Sequence, residues 1–208
     1  MTVLVDYKAG NLTSVSLALS RVGVRHRITD DPDVVRKAER IVFPGVGAAG
    51  SAMATLRASG LDQALTESVK RGTPLLGICI GCQILLDRSA EDGGTPCLGI
   101  LPGTVDRFDF ANLPQPRPKV PHMGWNQVEF LRDHPILEGI PSGTHFYFVH
   151  SFYPAPARPE NALGMCNYAG TRFAAILDGG NAVATQFHTE KSGEPGLRLL
   201  ANFAAWRP

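Results

Sequence analysis

The sequence of 208 residues has little excess charge of either sign and no long apolar run. Twenty Lys and Arg residues oppose nineteen Asp and Glu residues, so the formal net charge is +1, and no basic cluster is visible. This argues against a nucleic-acid-binding surface, which needs Lys and Arg gathered on one face. No apolar run is long enough to span a bilayer, and the opening run MTVLVD lacks the basic region of a signal peptide. We therefore expect a cytoplasmic protein with neither a nucleic acid nor a membrane as partner.

Cysteines are also few, and their spacing does not suggest a secreted disulfide framework. Cys79 and Cys82 form a C-x-x-C pair, which is typical of a redox dithiol or of half a zinc site. Because the sequence has no second C-x-x-C and no spaced His pair, we expect no metal, whereas the redox dithiol stays open. Cys97 and Cys166 are expected to be small packing residues.

Short apolar runs alternate with helix-period segments in the first half, which is the pattern of βαβ units with parallel strands. This pattern predicts strands at 3–5, 40–43 and 74–78, with helices at 12–22, 50–58, 61–70 and 80–86. The second half predicts strands, partly antiparallel, at 124–131, 145–150, 172–177 and 182–187, and a closing helix at 194–206. We therefore predict one α/β domain over residues 1–208, with ligands at the C-terminal ends of the parallel strands.

A candidate nucleophile lies where the strand at 74–78 meets the next helix. The run GICIG at 77–81 has the form G-x-nucleophile-x-G, with Cys79 in the place of serine. Such a turn is so sharp that side chains on both sides would collide, and the helix N-terminus that follows favours the thiolate. The alternative is a buried cysteine at a tight turn.

A thiolate nucleophile needs a base, and the sequence offers six histidines. His188 follows the apolar run 182–187, and Glu190 lies two residues further on. If the strand continues through this point, both side chains face the same way, so Glu190 could orient the imidazole and stabilise its cation. His134, in an Asp-His-Pro turn, is expected to be solvated, and the other four could be core or surface residues.

The turn PGVG at 44–47 follows a strand and leaves backbone N–H groups at the C-terminal edge of the sheet. These donors could form an oxyanion hole beside Cys79, or the turn could bind nothing. Residues 45–50 also match G-x-G-x-x-G. However, the nearby acids Asp62 and Glu67 fall in a helix pattern rather than at the end of a strand, so nucleotide binding is the weaker alternative.

Three segments together resemble class I glutamine amidotransferases in order and spacing: the turn at 44–47, the elbow at 77–83 and FHTEKS at 187–192. The resemblance covers nearly the whole chain for the glutaminase subunits of imidazole glycerol phosphate synthases, which share DYxxGNL at 6–12, VPHMGWN at 120–126 and YFVHS at 147–151. It implies a flavodoxin-like mixed sheet with antiparallel strands in the C-terminal half.

The same resemblance implies roles for individual residues. Cys79, His188 and Glu190 would form a triad that hydrolyses glutamine through a γ-glutamyl thioester, without a cofactor or metal. Backbone N–H groups near three residues would hold the oxyanion: Gly45, Val46 and Ile80. The residues implied around glutamine are Gln83, Glu91 and the main chain of Ser151 and Phe152. Those implied to face a partner are Asn11, Trp125, Tyr147 and Lys191.

The implied partner is a (β/α)8-barrel cyclase subunit, which would receive the ammonia. The complex would convert a phosphoribulosyl aminoimidazole carboxamide nucleotide to imidazole glycerol phosphate in histidine biosynthesis. Two alternatives stay open: a paralogous glutaminase subunit feeding another synthase, for instance in surface-sugar amidation, and a C-x-x-C redox protein. The sequence departs from the family pattern where Cys82 replaces Met, Thr189 replaces Pro, Lys8 replaces a small residue and Ala49 replaces an aromatic residue.

Overall fold

A computed structural model describes residues 1–8 and 11–208. In the first half, strands and helices alternate in the predicted βαβ pattern, with one strand and one helix between residues 26 and 36 that were not predicted. The strands are β1 (Thr2–Val5), β2 (His26–Thr29), β3 (Arg40–Gly45) and β4 (Leu75–Cys79). The helices are α1 (Leu12–Arg21), α2 (Pro32–Arg36), α3 (Ala49–Ser59), α4 (Leu61–Lys70) and α5 (Ile80–Gln83).

The second half consists mainly of strands. They are β5 (Arg88–Ser89), β6 (Thr95–Pro96), β7 (Gly103–Arg107), β8 (His122–Phe130), β9 (Thr144–His150), β10 (Phe152–Pro156), β11 (Ala162–Tyr168), β12 (Thr171–Asp178) and β13 (Ala182–Thr185). Helix α6 (Gly193–Ala205) follows the last strand. Short 3-10 helices lie at Glu91–Gly93, Pro135–Leu137, Pro159–Asn161 and Thr189–Lys191. No helix within the described residues has the length and apolar character needed to cross a membrane.

The main sheet has the order β2-β1-β3-β4-β13-β12-β11-β8-β9. Pairing is parallel from β2 to β13 and antiparallel from β13 to β9. A second sheet has the order β10-β7-β5-β6. The predicted mixed sheet with antiparallel strands in the C-terminal half is therefore confirmed, and the C-terminal ends of β3, β4 and β13 lie side by side.

The central strands are buried on both faces, because successive side chains of a strand point to opposite sides. Leu75 and Leu76 of β4 are fully buried and enter two different hydrophobic clusters. Helices α1 and α6 contribute to the first cluster, and α3 and α4 contribute to the second. Burial of each such leucine stabilises the fold by about 2 kcal/mol relative to exposure.

Two predicted elements are shorter than expected, at positions that matter for the site. The helix predicted at 80–86 ends at Gln83, because the carbonyls of residues 84–86 accept hydrogen bonds from the backbone of residues 98–101. The strand predicted at 182–187 ends at Thr185. In both cases contacts with distant residues end an element whose local pattern would continue.

Candidate active site

Cys79 lies at the sharp turn between β4 and α5, with φ of 56° and ψ of −107°. Its two flanking glycines have no room for a side chain. A Cβ on Gly77 would lie 2.5 Å from the backbone oxygen of Gly81, and a Cβ on Gly81 would overlap the backbone oxygen of Phe43. The turn therefore requires glycine at both positions, which agrees with the reasoning from the GICIG pattern.

His188 and Glu190 form a buried pair beside this turn. Nδ1 of His188 lies 2.8 Å from Oε1 of Glu190, and the two side chains are 1% and 0% exposed. The geometric premise for this pair was wrong: β13 ends at Thr185 and residues Thr189–Lys191 form a 3-10 helix, so no continuous strand aligns the two side chains. The turn brings them together instead.

The hydrogen bond to Glu190 fixes the protonation of the imidazole. A carboxylate oxygen only accepts, so Nδ1 of His188 carries the hydrogen. Nε2 of His188 is buried and has no hydrogen-bond partner among the described residues. Because Cys79 lines the same pocket as His188, this free nitrogen is available to take a proton from the thiol.

Electrostatics favour a charged His188 when Cys79 is a thiolate. Burial lowers the pKa of His188, but the interactions of the ring with Cys79 and Glu190 outweigh burial and raise the pKa to about 10. An imidazolium stabilised in this way pairs with a thiolate, which is the nucleophilic form of cysteine.

Asn11 also contacts the pair, although the resemblance places it on the partner face. Its amide Nδ2 donates to Oε1 of Glu190 and lies 3.4 Å from Nδ1 of His188. Because Nδ1 is already a donor, the amide hydrogen goes to the carboxylate and helps to hold it in place. Gly10, in the same sequence motif, lies outside the described residues.

Cys79 opens into a pocket of about 310 Å³, a size that suits a small polar molecule. Most of the residues implied by the resemblance meet here: Val46, Ile80, Gln83, Glu91, Ser151 and Phe152. Gly45 does not line the pocket; it is paired with Cys79 in the register of β3 and β4.

Tyr7 covers Gly45 and was not singled out by the sequence reasoning. A Cβ on Gly45 would overlap the hydroxyl of Tyr7, so the phenol lies directly against the strand end. This hydroxyl is buried and has no partner among the described residues. Burial raises the pKa of Tyr7, and the charge of Cys79 adds to the shift, so the hydroxyl lies near the nucleophile.

A glutamine pair connects the nucleophile to the far wall of the pocket. Nε2 of Gln83 donates to the carbonyl of Phe152 and to Oε1 of Gln186, at 2.9 Å in each case. Nε2 of Gln186 lies 3.8 Å from Sγ of Cys79. Gln186 was missed by the sequence reasoning, and its place two residues before His188 was the available signal.

The model of the protein family described as "Glutamine amidotransferase class-I" matches residues 3–206. The chain is 51% identical over 205 residues to the "Imidazole glycerol phosphate synthase subunit HisH" of Nitratidesulfovibrio vulgaris (strain DP4), with 98% of this chain and 95% of that protein covered. It is 48% identical over 203 residues to the subunit HisH of Dehalococcoides mccartyi (strain CBDB1), with 98% and 96% covered. The chain belongs to the class I glutamine amidotransferase family.

Solved structures agree with this glutamine amidotransferase fold. One described as "Crystal structure of glutamine amidotransferase" has a TM-score of 0.71 at 22% identity, covering 98% of this chain and 99% of the other. The structure of PurLQS from Thermotoga maritima has a TM-score of 0.74 at 18% identity, covering 97% and 96%. At such identities the likeness concerns the fold alone.

Within this glutamine amidotransferase, Cys82 of the C-x-x-C pair lacks the exposure of an attacking thiol. Cys82 is fully buried, and burial together with the nearby Cys79 raises the pKa of its thiol well above the usual value. Cys82 therefore cannot begin a thiol–disulfide exchange with another molecule, because that step needs an accessible thiolate. Cys166 is also buried, as expected for a packing residue, whereas Cys97 is half-buried.

The G-x-G-x-x-G match does not lead to a phosphate site in this amidotransferase. The backbone N–H of Ala49, at the start of α3, donates to Oε2 of Glu91 at 2.7 Å. Oδ2 of Asp92 lies 2.7 Å from the position that a Cβ on Gly50 would occupy. Two acidic side chains at this helix start disfavour a phosphate there. Among residues 1–8 and 11–208, no group of three His, Cys, Asp or Glu side chains is placed to hold a metal ion.

Of the remaining residues implied to face a partner, Trp125 and Tyr147 are directly opposite in the register of β8 and β9 and lie on one side of these strands. Trp125 is 55% exposed, and its ring meets that of Tyr147 at a centroid distance of 6.0 Å. Met123, two residues before Trp125, is 63% exposed. Lys191 is exposed in the 3-10 helix next to Glu190. Backbone N–H of His188 donates to the carbonyl of Tyr147 at 2.9 Å, so this face is directly attached to the triad.

Proposed function

We propose that this glutamine amidotransferase hydrolyses glutamine with Cys79 as nucleophile, His188 as general acid and base, and Glu190 as the group that orients His188. We propose further that the ammonia passes to the (β/α)8-barrel cyclase subunit of imidazole glycerol phosphate synthase. The observation that carries the proposal is the buried His188–Glu190 pair in the same pocket as a cysteine at a strained elbow.

The first half of the reaction forms a thioester. Nε2 of His188 takes the thiol proton, and Sγ of Cys79 attacks the carboxamide carbon of glutamine. The carbonyl oxygen becomes an oxyanion, which backbone N–H groups of Val46 and Ile80 would stabilise, while Gly45 precedes Val46 at the end of β3. His188 then gives its proton to the leaving nitrogen as the C–N bond breaks, and ammonia departs.

The second half restores the enzyme. Nε2 of His188, now neutral, takes a proton from water while the water oxygen attacks the thioester carbon. The C–S bond breaks, His188 returns the proton to Sγ of Cys79, and glutamate leaves. Gln83, Glu91 and the main chain of Ser151 and Phe152 would hold the glutamine backbone during both steps.

Transfer of ammonia to a partner follows from its chemistry. Free ammonia in water is mostly protonated, and the ammonium ion is no longer a nucleophile. The two relatives named above are subunits of imidazole glycerol phosphate synthase. The exposed aromatic face around Trp125 lies beside the triad, which suits docking of a cyclase over the pocket. A cytoplasmic location suits a chain whose cysteines are free thiols.

The chemistry is tested with two cysteine variants. Cys79→Ala should lower glutamate release by about a thousandfold or more, because no other group in the pocket replaces the thiolate. Cys82→Ala removes a buried neutral thiol and should retain most of the activity. Glutamate formation measured under reducing conditions distinguishes a single nucleophile at Cys79 from a Cys79–Cys82 dithiol. An equal loss of activity in both variants would support the dithiol.

The partner is tested by adding the cyclase subunit and its carboxamide nucleotide to the purified chain. We expect weak glutamate release from the isolated chain and a strong rise with both additions. High activity without a partner would contradict the channelling proposal. A triad that is active but does not respond to this cyclase would favour a different synthase.

A further inference from the structure

Two histidines that the triad does not use lie opposite each other on β8 and β9. His122 and His150 are directly opposite in the register of these antiparallel strands and are 3% and 5% exposed. Nδ1 of His122 lies 2.9 Å from Nε2 of His150. Their rings are surrounded by aromatic side chains, and His122 stacks on Tyr168 at a centroid distance of 4.1 Å.

Hydrogen bonds at one end of this pair fix the tautomer of His150. Its Nδ1 lies 2.7 Å from the carbonyl oxygen of Phe152. A carbonyl only accepts, so Nδ1 carries the hydrogen. Burial lowers the pKa of His150 to about 3, so the ring is neutral and Nε2 must accept. His122 is therefore the donor, through its Nδ1.

The contacts of His122 with Asn126 independently show that His122 is the donor in the bond to His150. The amide of Asn126 is oriented by its neighbours: Nδ2 donates to the carbonyl of Asn167 at 2.9 Å, and Oδ1 accepts from the backbone N–H of Gln127 at 2.8 Å. Nδ2 also lies 3.2 Å from Nε2 of His122, which must then be an acceptor. Burial lowers the pKa of His122 to about 4, which agrees with one hydrogen on that ring.

The chain of hydrogen bonds ends in the glutamine pocket. The carbonyl of Phe152 accepts from both His150 and Gln83, and Gln83 is bonded to Gln186 beside Cys79. At its other end the chain reaches Asn126 on β8, next to the exposed Trp125 on the opposite face of the strand. Each donor and acceptor in this hydrogen-bond chain has only one possible role. A shift of β8 would therefore be transmitted through the two histidines to the carbonyl of Phe152.

We propose that the neutral His122–His150 pair is a positioning element that fixes the main chain of Phe152 at the glutamine pocket and couples that position to strand β8. This inference rests on the proposed function, because it takes the exposed face of β8 as the partner face and the pocket at Cys79 as the glutamine site. His150 lines the pocket at Cys79, whereas His122 does not, so His122 acts on the pocket only through His150.

The hydrogen-bond direction is tested without any activity. In the unmodified chain labelled with ¹⁵N-histidine, both rings should give the nitrogen signals of a neutral tautomer protonated at Nδ1, near pH 7. A ring protonated at Nε2, or a charged ring, would overturn the proposal. This result does not depend on whether the chain hydrolyses glutamine.

The positioning role is tested with two replacements of one ring. His122→Asn places an amide N–H where Nδ1 donates to His150, whereas His122→Gln places its amide near Nε2 and loses that donor. We expect the Gln variant to raise KM for glutamine about fivefold to tenfold and to reduce the stimulation by the cyclase and its nucleotide, with a much smaller change in kcat. The Asn variant should keep most of both properties.

His134→Gln is the matched control, since His134 is also largely buried and lies outside this hydrogen-bond chain. It should leave KM and the stimulation unchanged. Equal KM values for the two His122 variants, whether normal or raised together with a loss of thermal stability, would overturn the proposal. If the unmodified chain neither releases glutamate nor responds to the cyclase, the proposed function fails instead. The nitrogen spectra would still test the tautomers of His122 and His150.

Discussion

Gly81 shows how a single hydrogen atom in place of a side chain allows the elbow to form. Its Cα faces the backbone oxygen of Phe43, so a methyl group could be accommodated only by moving α5 away from β3. We expect Gly81→Ala to lower the free energy of unfolding by about 3 kcal/mol, the upper end of overpacking costs. Urea unfolding measures this loss.

Gly60→Ala is the control for that substitution. Gly60 has φ of 73°, and no atom lies within 4 Å of the position that a methyl group would occupy, so only backbone strain opposes the change. We expect a loss of about 1 kcal/mol. Equal losses at the two glycines would show that crowding by Phe43 does not matter.

The protonation of His188 is the second property that belongs to single residues. Burial lowers the pKa of His188, while Cys79 and Glu190 raise it to about 10. Cys79→Ala removes one raising partner, so the pKa should fall by at least about one unit. Cys82→Ala should leave it unchanged, because Cys82 is not among the groups that shift it. Histidine NMR signals followed against pH measure the pKa of His188 in both variants. An unchanged pKa in Cys79→Ala would contradict an ion pair between Cys79 and His188.

At the scale of elements, the pairing of β8 with β9 makes stability depend on pH. The pKa values of His122 and His150 are about 4 and 3 in the folded chain, below the usual 6.5 of an unfolded histidine. The unfolded state therefore binds more protons between these values, so stability falls as pH falls below about 6.5. By pH 4.5 each ring should lower the free energy of unfolding by about 2.5 kcal/mol.

Urea unfolding at a series of pH values measures this dependence. His122→Gln removes one of the two rings, so the slope of the unfolding free energy against pH should decrease by close to one proton. An unchanged slope would show that His122 is not held neutral in the folded chain.

Some strands were predictable from the sequence and others were not, for physical reasons. Strand β4 was predictable because its apolar run ends in an elbow whose glycines, Gly77 and Gly81, lie on either side of Cys79 in the sequence. Strand β2 was missed: it lies at the edge of the sheet, and Arg27 and Ile28 are exposed, so no apolar alternation marks it. Strands β5 and β6 have two residues each, which is too short for any periodicity.

His188 and His134 show a second limit. The end of β13 depends on a hydrogen bond from His188 to the carbonyl of Tyr147, which lies 41 positions earlier in the sequence. His134 was expected to be solvated, yet its side chain is only 11% exposed and packs against Trp206. Contacts of this range leave no trace in a local pattern.

At the scale of the whole molecule, the site is assembled by three neighbouring strands. Gly45 ends β3, Cys79 ends β4, and His188 follows β13, in the order in which these strands lie in the sheet. Parallel strands deliver their C-terminal ends to one edge, so the general position of the site was predictable. The bond between Gln83 and Phe152 joins residues 69 positions apart and became visible only in the fold.

At the same scale, we predict that the cyclase binds to the exposed face of β8 and β9. Trp125 is a large side chain that is 55% exposed beside Tyr147, and burial of such an aromatic residue often dominates the energy of an interface. We expect Trp125→Ala to weaken binding of the cyclase by about 2 kcal/mol, or about thirtyfold in Kd. Calorimetric titration with the cyclase measures this change.

Ile28→Ala provides the comparison for Trp125→Ala. Ile28 is 45% exposed on β2, at the opposite edge of the nine-stranded sheet, so its loss removes exposed apolar surface far from the proposed partner face. Its Kd for the cyclase should stay within about twofold of the unmodified chain, since surface changes outside an interface cost little. If both variants bind equally well, the cyclase does not dock on β8 and β9; if both bind equally poorly, the loss reflects general stability rather than a contact at Trp125.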